Sequence, residues 1–170
     1  ANLTHPNFNL AQQATSDTDY LAYGSLIQWG RKPDGHELIT YTNSTTGTPV
    51  NGSTSTNIDN PTHSLFITGN PDWRLNRDDT LWNNESSPNN PCPIGFRVPT
   101  IAELNTLFSA ASITNSASGA SSNLKFSLPG GRVHNTALVV NISAFSTYWS
   151  STTSADINYK SNKIMTPTDI

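Results

Sequence analysis

The chain is poor in cysteine, in charge and in long apolar runs, and each shortage removes a class of function. Cys92 is the one cysteine among 170 residues, which builds neither a disulfide framework nor a zinc cage. Its setting, Asn90-Pro91-Cys92-Pro93, offers no cation or base to lower a thiol pKa. Cys92 therefore reads as a structural thiol or half of a pair whose partner is missing. Charged residues make up 12% of the chain, about half the usual share. Nine Lys and Arg against twelve Asp and Glu leave a net charge of −3. The basic residues are scattered, so no stripe exists to neutralise a phosphate backbone, and nucleic acid is excluded as a partner. No apolar run approaches about 18 residues, so no membrane insertion is expected. The first residues, Ala1 to His5, have neither the basic nor the apolar part of a leader.

Ser, Thr and Asn take the place of the missing charge. Uncharged polar surface solubilises without strong fields, a habit of extracellular and surface-exposed proteins. Four Trp, five Tyr and six Phe argue for a packed core against disorder. The length fits one domain, residues 1–170.

Two stretches, 41–57 and 109–123, carry neither charge nor hydrophobic period and read as polar loops. Between them, Thr100-Ile-Ala-Glu103 is a capping box, and Ile101, Leu104, Leu107 and Phe108 recur at helical spacing, predicting a helix over 100–109. A second helix is expected over 17–26, capped by Ser16 or Asp17, although Gly24 weakens it. Strands are expected over 37–41, 124–128, 136–142 and 146–150. The sum is an α+β fold: two short helices beside a small twisted antiparallel sheet, with long loops.

The usual catalytic signatures are missing. His5, His36, His63 and His134 never fall at metal-ligand spacing. There is no nucleophile elbow, phosphate loop or dinucleotide fingerprint. His36 and His63 are expected to serve structural hydrogen bonds. Carboxylates gather once, at Asp72, Asp78 and Asp79 around Asn76. That oxygen-rich loop makes calcium the one candidate metal, opposed by Arg74 and Arg77, which would pair with the same carboxylates. Among the tryptophans, Trp29 and Trp149 sit in apolar or β-branched surroundings and are expected in the core. Trp73 and Trp82 lie in polar sequence and are the candidates, with Asn76, for an exposed ligand surface.

Four segments in order carry a resemblance: Tyr23 to Arg31 with Asp34-Gly-His36, Asp59 to His63 with Asp72-Trp-Arg74, Asn90-Pro-Cys-Pro-Ile-Gly-Phe-Arg-Val-Pro-Thr100, and Tyr148-Trp-Ser-Ser-Thr152. Together they resemble the Fibrobacter succinogenes major paralogous domain of surface and secreted Bacteroidetes proteins. The resemblance implies a fold similar to C-type lectin-like and formylglycine-generating-enzyme-like domains. It also implies a role as an adhesive or recognition module at the cell surface, or on a virion as part of a phage fibre. Enzymatic carry-over is opposed by the missing cysteines. In that family the pattern continues to a C-terminal Val-Arg-Cys segment, which this chain lacks. Either that strand and the partner of Cys92 were trimmed or lie in further sequence, or another chain supplies them, or this member does without them. A missing strand would leave an open sheet edge that favours association or strand exchange at the C-terminus. Asp79-Thr80-Leu81 fits the short O-glycan acceptor pattern of that phylum, with Thr80 as acceptor.

The expectation is a non-catalytic module binding a surface glycan or another protein chain through loops 41–57, 66–90 and 109–123. Trp29, Cys92, Thr100, Glu103 and Trp149 would form its structural frame. A structural subunit of a spike, fibre or pilus-like assembly is the alternative. A surface-polymer hydrolase using His36, His63, Asp72 and Asp79 is the third.

Overall fold

Thr100 opens helix α1 (Ile101–Ala110) as the sequence predicts. Its side-chain oxygen accepts the amide of Glu103 at 3.2 Å, and the Glu103 carboxylate accepts the amide of Thr100 at 2.8 Å. Arg97 closes on the same carboxylate at 2.6 Å and 2.9 Å. The Arg97 bond leads the Thr100 bonds in holding Glu103 down to about 2. Leu104 and Phe108, one turn apart, face inward. Thr100→Ala is expected to cost about 1 kcal/mol, read as a lower urea midpoint with an unchanged slope.

The computed structural model describes residues 13–69, 72–153 and 160–167. Within them lie helix α2 (Ser116–Ser121) and eight strands: β1 (Ile39–Asn43), β2 (Thr46–Pro49), β3 (Ser53–Thr54), β4 (Phe66–Ile67), β5 (Gly131–Arg132), β6 (Val139–Val140), β7 (Ser146–Thr153) and β8 (Lys160–Met165). The α+β class holds, and so does the presence of two short helices. The single antiparallel sheet does not: the described strands form four separate pairs, β1–β2, β3–β4, β5–β6 and β7–β8, and β3–β4 is parallel.

Four other expectations need correction. Residues 17–26 make only one 3-10 turn, Tyr20–Ala22. Gly24 at φ +77° leaves the helical region, and the Leu26 amide turns to the carbonyl of Glu37. The 41–57 stretch is not a loop. Threonines favour the pleat, and Thr40 pairs with Thr48, and Tyr41 with Gly47, in a hairpin. The 109–123 stretch holds α2, whose Asn115 and Ser118 form a second capping box. Residues 124–128 run without a ladder, and Lys125 sits at φ 54°.

The strand that covers β7 belongs to this chain. β8 pairs antiparallel with it from Ser146↔Met165 to Thr153↔Lys160, and the two form a sheet of their own. On its way into β7 the chain passes Gly130, at φ +80°, where a Cβ would collide with the carbonyl of Val140.

Two apolar clusters hold these pieces. One gathers Trp29, Ile67, Trp73, Leu81, Trp82 and Val98, with Ile27, Cys92 and Trp149 against it. The other gathers Phe108, Ile113 and Leu128, with Phe126 and Tyr148 at its margin.

Candidate functional site

Residues 72–99 contain no helix or strand, yet they are pinned at many points. All four tryptophans point their indole N–H at a backbone carbonyl. Trp29 donates to Ser150 at 2.8 Å, Trp73 to Trp29 at 2.7 Å, Trp82 to Asn89 at 2.7 Å and Trp149 to Ile27 at 2.9 Å. Each ring buries apolar area while its one polar atom satisfies a carbonyl that a loop would otherwise leave to water. Asn89 then donates to the carbonyl of Gly30 at 2.7 Å, and Asn57 to that of Asp72 at 2.8 Å.

This pinning overturns the exposed-stacking reading of Trp73 and Trp82, which are 6% and 1% exposed. Their polar sequence neighbours line the outside of a loop whose aromatic residue turns in. Trp29 is buried as expected, and Trp149 is partly buried against the same cluster. Cys92 is a free, half-buried thiol at its edge, and burial pushes its pKa up, away from the reactive range.

The acidic loop is likewise committed. Asp72 accepts the amide of Arg74 at 3.1 Å, and Asp78 accepts the amide and hydroxyl of Thr80 at 2.9 Å and 2.6 Å. Asp79 takes Arg77 in a fork at 2.9 Å and 3.0 Å. Asn76 gives its side-chain amide to Asp59 at 2.7 Å, which ties down the candidate ligand contact. Asp72, Asp78 and Asp79 therefore act as turn caps and ion-pair partners. They do not converge into a calcium cradle, because each carboxylate faces its own local donor. Thr80 stands exposed at its turn, with its hydroxyl donated to Asp78.

Among the described residues, the group that does converge is Asp34, His36 and Glu37, whose ligand atoms lie within 4.8 Å of one another. Sequence reasoning anticipated His36 as a structural residue but missed its surroundings. Arg31, 1% exposed, donates through Nε to Asp34 at 2.8 Å. Its two Nη groups reach Gln28 Oε1 at 3.0 Å, the carbonyl of Leu65 at 2.9 Å and that of His63 at 2.8 Å. Gln28 grips β4 on both sides, donating to the carbonyl of Ile67 at 2.9 Å and accepting its amide at 3.1 Å. From β5, Arg132 stacks over the Phe66 ring at 4.2 Å and donates to the carbonyl of His36 at 2.6 Å. Burial lowers its pKa to about 10.

The His36 ring is fully buried, and its tautomer follows from its partners. Nε2 accepts the amide of Gln28 at 3.0 Å, so the proton sits on Nδ1 and is donated to Asp34 at 2.7 Å. Burial, the largest influence, pushes its pKa down; the bond to Asp34 works against it and Arg31 adds to it, for a net lowering. Burial raises the Asp34 pKa, but the His36 bond and the nearby positive charges outweigh this and leave it lowered. A metal on Nδ1 would force the ring proton onto Nε2, against the Gln28 amide. The cluster therefore suits Arg31 as its resident cation and does not fit a metal. With both nitrogens engaged and no solvent contact, His36 has no lone pair for general-base work. His63 accepts the amide of Leu65 at 3.2 Å, and the exposed His134 lies 3.0 Å from the carbonyl of Gly69. His5 lies outside the described residues.

What faces outward was not singled out by sequence reasoning. The turn Pro93 to Phe96, closed by the Phe96 amide on the carbonyl of Pro93 at 3.0 Å, leaves Ile94 fully exposed and Phe96 67% exposed. The available signal was Pro-x-Gly punctuation with apolar residues inside it.

Fold and site together define a small α+β domain in which Arg31, His36 and Gln28 are engaged by internal partners and tryptophans fasten the loops. No family model, curated protein or solved structure matches the chain. Among the described residues no helix is long and apolar enough to cross a membrane.

Proposed function

We propose that the chain is a non-catalytic recognition module, displayed at a cell surface or secreted, that binds through ordered loops. The observation that carries this reading is the pinning of 72–99 by indole N–H bonds. It fixes a long irregular segment before any ligand arrives and so reduces the ordering cost of binding. The resemblance to surface modules of lectin-like fold points the same way.

The contact chemistry differs from the exposed-tryptophan expectation. Ile94 and Phe96 offer an apolar anchor beside the exposed Arg97–Glu103 pair, a composition suited to a protein surface or to the apolar face of a sugar. Binding to candidate glycans and to cell-surface proteins, on arrays and by adhesion, tests this. The double variant Ile94→Asp with Phe96→Ser is expected to lose about 2 kcal/mol or more of binding, roughly thirtyfold. Its urea midpoint should stay within about 0.5 kcal/mol of the parent's in free-energy terms. A correctly folded parent that retains no ligand, or a variant that binds as well as the parent, counts against the reading.

The structural-subunit reading rests on a separate observation. Leu75 and Leu138 are also more than half exposed, as residues are when neighbouring chains cover them in an assembly. Sedimentation of a stable monomer across a wide concentration range removes that support. The hydrolase reading has less behind it, since His36, His63, Asp72 and Asp79 are each engaged by local partners.

A further inference from the structure

The tautomer of His36 has a consequence for behaviour in acid. Its acceptor nitrogen holds the amide of Gln28, and Gln28 in turn holds both backbone groups of Ile67. The residues next along the chain carry the outer loops: the carbonyl of Trp29 receives Trp73, and that of Gly30 receives Asn89. One imidazole lone pair thus fixes Gln28, whose side chain ties segment 28–38 to strand β4 and whose next two residues receive the 72–99 loop.

We propose that the contact between His36 and Gln28 is an acid-operated latch: proton uptake on Nε2 frees Gln28 from the ring and loosens its hold on β4 and on the loops anchored beside it. A protonated Nε2 sets one N–H against another, so the bond is lost and replaced by repulsion. The charged groups facing the ring are Asp34, Glu37 and Arg31 from its own segment and Arg132 from β5, whose guanidinium meets the His36 carbonyl and the Phe66 ring. Burial and Arg31 oppose the imidazolium; the carboxylates favour it. His36 titrates lower when folded than the ordinary value of about 6.5. Its stabilising contribution is therefore complete above that value and is lost as pH falls through the folded value, because the open form binds the proton more tightly.

Hydrogen exchange read by mass spectrometry, corrected for intrinsic rates and followed from about pH 7.5 to about pH 4.5, tests the latch without any ligand. Protection in peptides covering 26–38 and 63–69 is expected to fall by up to about tenfold per pH unit, the limit for one proton. Helix α1 should keep its protection over the same range. The variant His36→Gln, which retains an acceptor and cannot take up a proton there, should show a flat profile. The proposal is overturned by a flat wild-type profile, by an equal fall in α1, or by the same fall in the variant. Should the variant fail to fold, nitrogen resonances of the wild-type imidazole decide. Proton uptake at Nε2 must coincide with movement of the Gln28 amide resonance, and uptake that leaves it in place, or no uptake by about pH 4.5, overturns the latch.

Discussion

Replacing Arg31 by methionine should destabilise the protein by about 3–5 kcal/mol, the range for removing one partner of a buried ion pair. The guanidinium is 1% exposed and serves Asp34, Gln28 and the carbonyls of Leu65 and His63. Methionine fills a similar volume and supplies no donor, so the carbonyls of Leu65 and His63 lose this donor, and Gln28 Oε1 is left with the Ile67 amide alone. Asp34 keeps some solvent contact, which places the loss at the lower end of that range. Arg31→Lys should recover only part of it, because an ammonium cannot reproduce the fork that spans four acceptors. Urea unfolding reads both variants through a midpoint shift at constant slope. A methionine variant within about 0.5 kcal/mol of the parent would falsify the view that this cation organises segments 28–38 and 63–67.

The parts of this structure that were legible in the sequence are those set by local chemistry. The capping box at Thr100 and Glu103 involves residues three apart, so its donors and acceptors meet in any chain that turns there, and α1 falls where they place it. Ser146–Thr153 is aromatic and β-branched, and it forms a strand. Composition misled where it stood in for geometry. Thr42, Thr46 and Thr48 look like loop filler by polarity, but their branched side chains suit a pleat, and the hairpin follows. Residues 116–121 look equally featureless, and they become a helix once Asn115 caps them. The cluster around His36 was only half legible. Asp34-Gly-His36 is visible as a short motif, while Gln28 approaches from eight residues away and Arg132 from 96. Tertiary packing alone brings those groups together. The same reason hid the fate of Trp73 and Trp82: polar neighbours in sequence say which way the loop faces, not which way its largest side chain turns.

Trp82→Ala should therefore be among the costliest single changes in the molecule, about 3–5 kcal/mol. The ring is 1% exposed and lies 5.4 Å from that of Trp29, centroid to centroid. Around it are Ile67, Trp73, Leu81 and Val98. Gly30, at φ +76°, brings its backbone so close to Leu81 that a Cβ would stand 2.9 Å from Cδ1. This wall cannot collapse far into the hole that alanine leaves, which favours the upper part of the range. Trp82→Phe keeps most of the apolar contact but leaves the Asn89 carbonyl without its donor, and should cost about 1–3 kcal/mol. Because Asn89 also fastens Gly30, both variants should speed hydrogen exchange in 83–97 more than in α1. An exposed stacking tryptophan would behave in the opposite way, with alanine leaving the urea midpoint unmoved and abolishing binding alone. Stability and binding measured on the same two variants separate these outcomes. A frame dependent on Trp82 also explains why ligand contact has to come from side chains such as Ile94 and Phe96: the tryptophans are already used in holding those loops in place.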